Sequence, residues 1–178
     1  MKKLYLLCGI PVSGKSSVAS EIAAIESAVI LSYDEIKREL YDLDVKYKRS
    51  QDKEVFRVLR TRFDEALETG RNIVIDCVNG IPAPRRRHAI CAKKKGYRTI
   101  CVFCHKHYAY AITANALRDG GCRYPYDSII KTAFDRFVPP ERHEGWDEIH
   151  IMDGNRYCLE VEGQILVERR SAPGKQKR

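Results

Sequence analysis

The stretch Gly9-Ile10-Pro11-Val12-Ser13-Gly14-Lys15-Ser16 fits the spacing G-x-x-x-x-G-K-[ST]. Glycines at its two ends let consecutive backbone N–H groups turn inward around phosphate oxygens. A helix that starts at the second glycine points the positive end of its dipole at the same anion. Gly9, Pro11, Ser13, Gly14, Lys15, Ser16 and Ser17 are therefore the candidate phosphate-binding positions. Lys15 is spaced to reach β- and γ-phosphates, and the Ser16 hydroxyl to share Mg²⁺ with water and phosphate oxygens. The implied ligand is a nucleoside triphosphate, with ATP and Mg²⁺ the expected pair.

The fate of the terminal phosphoryl group depends on a side chain able to deprotonate or orient an acceptor. Asp34 is the candidate, in Leu31-Ser32-Tyr33-Asp34-Glu35-Ile36-Lys37-Arg38. It follows an apolar run that reads as a second strand, and open parallel sheets place their ligands at the carboxyl ends of strands. Arg38 lies four residues on, so a helix there puts both side chains on one face. The competing reading is that Asp34 or Ser32 caps that helix. Asp76 ends a third apolar run, with Asn79 three residues beyond. Capping of the following loop is its competing reading.

The elements that must position these groups alternate between strand and helix, the signature of parallel βαβ units with helices on both sheet faces. Strands are expected at Lys3 to Cys8, Ala28 to Leu31, Asn72 to Asp76, Arg98 to Cys104 and Glu148 to Met152. Helices are expected at Lys15 to Ile25, Asp34 to Leu40, Asp52 to Glu68 and Pro84 to Lys95. In the third of these, Val55, Phe56, Leu59, Phe63 and Leu67 recur at helical spacing, and Gly70 supplies a C′ residue. Tyr108 to Leu117 and Ser128 to Phe137 read as two helices flanking the loop Arg118 to Pro125, which carries Arg118 and Arg123. Two helices joined by a basic loop predict a mobile lid. Tyr157 to Val161 and Gln164 to Glu168 predict a hairpin turning at Glu162-Gly163.

Taken together, these residues resemble the P-loop kinases of the polynucleotide 5′-kinase group, whose relatives include seryl-tRNA kinases and zeta-toxin-like enzymes. The resemblance covers residues 3 to about 150. It implies an α/β fold of P-loop NTPase type: a doubly wound, mostly parallel sheet with a helical lid. It implies that Asp34 is the general base, that Arg38 binds substrate phosphate, and that Asp76 supports the metal with Asn79 close to the substrate. Where the family often has Asp-Asn-Thr-Asn, this chain has Asp76-Cys77-Val78-Asn79. The stretch from Leu117 through Arg123 to Phe137-Val138-Pro139-Pro140, with the later Glu144-Gly145-Trp146-Asp147, resembles the family's lid. By that resemblance Arg118 holds the nucleotide and Arg123 neutralises charge on the transferring group.

The resulting expectation is an ATP-dependent kinase whose best acceptor is the 5′-hydroxyl of DNA or RNA, so a nucleic-acid partner is expected. A small-molecule, nucleotide-sugar or tRNA-linked hydroxyl is the alternative acceptor. A nucleotide-dependent switch or nucleic-acid-binding ATPase is the alternative from another class.

At 178 residues the chain suits one domain, expected over 1–168 with a lid at about 108–137. A basic tail, expected to be disordered, follows at 169–178. The tail holds five of the charges behind the net +8, leaving +3 for the rest. A basic balance suits a polyanionic partner, ATP included, and discriminates weakly. No apolar run approaches the roughly 20 residues of a membrane span. Seven cysteines without framework spacing, in a chain lacking an export signal, predict reduced thiols and a cytoplasmic location. Cys101-Val102-Phe103-Cys104-His105 matches a haem-attachment spacing, but it ends an expected strand in a chain lacking an export signal. Zinc held by Cys101, Cys104, His105 and His107 is disfavoured because residues 101 and 104 of a strand point to opposite faces. Arg85-Arg86-Arg87 and Lys93-Lys94-Lys95 bracket one helix and could line a nucleic-acid path or simply be solvated.

Overall fold

The computed structural model describes residues 1–41, 49–118, 126–153, 156–161 and 164–169. Arg123, the Glu162-Gly163 turn and residues 170–178 of the expected tail lie outside the described residues. In chain order the elements are β1 (Lys3–Cys8), α1 (Lys15–Glu26), β2 (Val29–Ser32), α2 (Tyr33–Leu40), α3 (Asp52–Thr69), β3 (Ile73–Asp76), α4 (Pro82–Lys94), β4 (Arg98–His105), α5 (Tyr108–Ala116), α6 (Asp127–Arg136), β5 (Glu148–Asp153), β6 (Arg156–Val161) and β7 (Gln164–Arg169). Among the described residues no helix is long and apolar enough to cross a membrane.

The strands form one sheet in the order β2-β3-β1-β4-β5-β6-β7. The first five are parallel, and β6 and β7 extend the sheet as an antiparallel hairpin. Alternation along β1 shows how the sequence builds two cores. Leu4, Leu6 and Cys8 face Val55, Leu59, Phe63 and Leu67 of α3 and Ala89 and Ala92 of α4. Tyr5 and Leu7 face the other way, with Val18 and Ala19 of α1. Cys101 and Cys104 likewise belong to opposite faces, both buried.

This arrangement sets the site. β1 and β3 are neighbours, yet the chain leaves β1 into α1 on one face and leaves β3 toward α4 on the other. The crevice between two such departures, beyond the carboxyl ends of the strands, is where open α/β sheets bind ligands. Helices α5 and α6, the pair expected to form a lid, close one side of it: Ala111 and Ile130 pack on Ile10 and Val12 of the Gly9–Ser16 loop. The apolar residues between the two loop glycines are thus the floor on which α5 and α6 rest.

α4 starts at Pro82, two residues before the expected Pro84. A first-turn N–H has no intrahelical acceptor, so neither proline costs a hydrogen bond there. Its basic run is not a continuous surface stripe. Arg85 is completely buried, whereas Arg86 and Arg87 are exposed. A nucleic-acid path along all three arginines is therefore corrected: a buried guanidinium cannot meet a phosphate backbone.

His88, next on α4, meets the ring of Phe63 edge-on at 4.8 Å. Burial, with the nearby Arg87 and Arg60 charges, pushes its pKa down to about 4. The unfolded chain then binds more protons than the folded one between about pH 4 and 6.5, so stability is full above that window and falls as pH drops through it. At about 1.4 kcal/mol per unit, the loss is at most about 3.5 kcal/mol. Urea denaturation at a series of pH values should show this slope, and His88→Leu should flatten it.

Candidate active site

Gly9 has φ +151°, and a Cβ there would lie 2.4 Å from Cys104 O and 2.7 Å from Ser13 Oγ. Its N–H donates to Val78 O at 3.0 Å. The loop therefore turns directly against the end of β4, which only glycine permits. Gly9→Ala should cost roughly 2–5 kcal/mol, strain and overpacking acting together. A urea midpoint within error of wild type would contradict this. Ser13 N donates back to Ile10 O at 3.3 Å, and Gly14, at φ +89°, caps α1. That cap makes no side-chain hydrogen bond, and the first turn of α1 holds no acidic residue. The leading N–H groups of α1 are thus free of side-chain competition for an anion.

Lys15 is 8% exposed, and its Nζ donates to Ile10 O at 2.8 Å and lies 3.4 Å from Ser13 Oγ. Burial lowers its pKa, and Asp76 is the strongest opposing influence, with Asp34 also contributing. Asp76 is raised by burial, while the Ser16 hydroxyl, within hydrogen-bonding reach, and Lys15 pull it the other way. Asp34 again contributes, now by repulsion. Four groups from three neighbouring strand ends converge: Lys15 and Ser16 after β1, Asp76 closing β3, and Asp34 just past β2. Register fixes the meeting point, since Asp76 stands opposite both Leu7 and Ser32.

Ser16 and Asp76 offer hydroxyl and carboxylate oxygens, the hard donors that Mg²⁺ takes, and the pair fits that ion. The Cys77 thiol beside them is pushed up to about 11, chiefly by burial, so it keeps its proton and offers no thiolate. Among the described residues no cluster of three or more His, Cys, Asp or Glu could hold a metal ion.

The capping alternative resolves in favour of Ser32, whose side-chain oxygen accepts from Glu35 N at 3.3 Å. Asp34 lies inside the first turn of α2, exposed, and Arg38 is exposed one turn later. α2 is pinned along α3 by Tyr33 Oη to Asp52 (2.5 Å), Tyr41 Oη to Glu54 (2.6 Å) and the Glu39–Arg62 ion pair, with Ile36 buried beneath. Asp34 is thus held by a rigid element.

Asn79, at φ +45°, spends its Nδ2 on Leu7 O at 2.8 Å. It ties the loop after β3 to the end of β1. Pro11 is buried and Ser17 exposed. Arg118 is exposed just beyond α5, its N–H donating to Asn115 O at 3.2 Å. The adjoining Leu117 lines a cleft of about 610 Å³, bounded also by Gly14, Ser17, His105, His107 and Tyr110. The sequence offers His105 and His107 only as discounted metal ligands and does not single out Tyr110 as a site residue. The structure puts all three in this cleft, His105 closing β4 and Tyr110 in the first turn of α5.

Comparison with known proteins identifies the fold and the family. The chain is 30% identical over 177 residues to the Arabidopsis thaliana Protein KTI12 homolog, covering 93% of this chain and 57% of that protein. The chain spans about half the length of the curated relatives it matches, 50% for the homologue of Oryza sativa. Among solved structures, Chaetomium thermophilum Kti12 in complex with ADP-AlF3 superposes with a TM-score of 0.63 at 18% identity, covering 85% of this chain and 89% of that one. The PezAT toxin-antitoxin system of Streptococcus pneumoniae superposes at 0.67 and 15% identity, covering 85% and 66%. The fold is a P-loop, kinase-like nucleotide-binding fold. A family model described as an AAA domain matches residues 4–118, more than half of the sequence, and the chain belongs to that family.

Proposed function

We propose that this chain is an ATP- and Mg²⁺-dependent phosphotransferase that moves the γ-phosphoryl group of ATP to a hydroxyl. The observation that carries the reading is the convergence of Lys15, Ser16, Asp76 and Asp34 at three neighbouring strand ends. The backbone N–H groups from Ser13 to Ser17 cradle the phosphates, and the Lys15 ammonium neutralises the oxygens of the transferring group. Ser16 and Asp76 would hold Mg²⁺, which would supply further neutralisation of phosphate charge. Asp34 accepts the acceptor's proton as the new O–P bond forms and the bond to the ADP oxygen breaks. By the resemblance, Arg38 binds the acceptor's phosphate, and Asn79 shapes the substrate side of the site through the loop it ties to β1. Arg118 and Arg123 are assigned to the nucleotide and its transferring charge, with water excluded.

A 5′-hydroxyl of DNA or RNA is the acceptor we favour, on the resemblance carried by Asp34, Arg38, Asp76 and the lid. The five free thiols among the described cysteines suit a reducing cytoplasm. Residues 1–168 act as one kinase domain. The test is competition for transfer between 5′-hydroxyl oligonucleotides, uncharged tRNA and small sugars. Label moving only to oligonucleotides supports the reading, and label moving to a sugar overturns the acceptor assignment.

A second reading is transfer to water in a nucleotide-dependent switch, and the likeness to a Kti12 in complex with ADP-AlF3 is compatible with both readings. The presence of Asp34 at the crevice and of a lid resting on the loop favours the first.

A further inference from the structure

Arg85 carries five N–H donors, and all five have acceptors drawn from three separate segments of the chain. Nε donates to Glu144 Oε2 at 2.6 Å, and Nη2 to Glu144 Oε1 and to Pro139 O at 2.8 Å. Nη1 donates to Val138 O at 2.6 Å and to Asn79 O at 3.3 Å. Glu144 is equally occupied, accepting also from Trp146 Nε1 at 3.3 Å and from Glu141 N at 3.0 Å. A buried ion pair is a weak source of stability compared with apolar residues of the same volume. What a guanidinium fork supplies is fixed direction.

Two of the three segments it holds lead to the site. Asn79 follows Asp76, its side chain holds Leu7 O, and its neighbour Val78 O receives the Gly9 N–H. Val138 and Pro139 leave the second lid helix, and Val138 N donates to Gly80 O at 2.9 Å. Phe137 stacks on Phe103 with centroids 5.2 Å apart, and a Cβ on Gly80 would lie 3.1 Å from its ring. The lid therefore leaves α6 against the same short loop, Val78–Gly80, that anchors the entry to the phosphate loop.

We propose that Arg85 is a positioning residue that registers the lid hinge, Phe137–Pro139, against Val78–Gly80, and through it couples the lid to the Gly9–Ser16 loop. This rests on the reading that the loop binds nucleotide. Bound nucleotide shifts the loop entry, and the shared Val78–Gly80 segment passes that shift to the hinge.

Hydrogen exchange of the peptide 137–145 in the full chain, with and without Mg²⁺ and ADP, tests the coupling, with ADP affinity measured in parallel by a fluorescent analogue. Wild type should bind ADP and show slowed exchange at the hinge. Arg85→Lys keeps a cation for Glu144 but cannot reach all three carbonyls. It should bind ADP as wild type does, lose the slowing, and lower kcat by about 10²-fold, the scale of a small misplacement at a reacting centre. Arg85→Met/Glu144→Leu, which replaces the ion pair by apolar volume, should behave alike. A wild-type hinge that ignores bound ADP would overturn the coupling alone. So would variants whose hinge and kcat match wild type, or the failure of both variants to fold, which would make Arg85 purely structural. Wild type that binds no ADP would remove the nucleotide reading and this coupling with it.

Discussion

Lys15→Met should lower phosphoryl transfer by about 10²–10³-fold, the scale of losing one preorganised charge stabiliser in a water-excluded site. Methionine keeps most of the buried stem, so the change is one of charge. The ammonium lies inside the loop, bonded to Ile10 O, with 8% of the residue exposed. Its burial is unfavourable without an anion, which is why its pKa is lowered despite Asp76. Removing it should therefore leave the urea midpoint of the nucleotide-free protein unchanged or higher, while transfer collapses. A variant that is destabilised yet transfers normally would contradict the assignment of Lys15 to the transferring group.

Asp34→Asn should lower transfer by about 10²–10⁴-fold, the contribution typical of a positioned general base, while ATP binding stays at the wild-type level. The amide is isosteric and cannot take a proton. Helix α2 should be unaffected, because its cap is the Ser32 hydroxyl on Glu35 N. The contrasting variant is Ser32→Ala, which should cost about 1 kcal/mol of stability through loss of that cap. Rates from single-turnover assays and affinities from a fluorescent ATP analogue separate the two effects. Full transfer by the Asp34→Asn protein would remove Asp34 from the chemistry.

Much of this architecture is legible in the amino-acid sequence. β1 and the start of α1 lie where the apolar run and Lys15 place them, and the C-terminal glycine of α3 is Gly70 at φ +71°. These are local signals: apolar periodicity, and a residue with the backbone freedom that the turn demands. The convergence of Asp34 and Asp76 is legible only as a rule about strand ends, because it needs the order β2-β3-β1 that pairing alone decides. Arg85 is unreadable. In sequence it is one of three adjacent arginines, and nothing local distinguishes it from exposed Arg86. Its burial is compensated by Glu144, 59 positions away, and by carbonyls of the lid exit. His105 and His107 sit in sequence beside a spurious metal spacing, yet both line the cleft next to the loop.

The claim that these four groups serve transfer to a hydroxyl is tested most directly by one single-turnover experiment. Protein in excess over γ-³²P-ATP and Mg²⁺ is mixed with 5′-hydroxyl DNA and RNA strands, with 5′-phosphorylated strands as controls, and label on strands is compared with released phosphate. Label on 5′-hydroxyl strands should exceed free phosphate in wild type, with neither product forming at a comparable rate in Asp34→Asn. Label recovered only as free phosphate, at equal rates in both proteins, would contradict that claim.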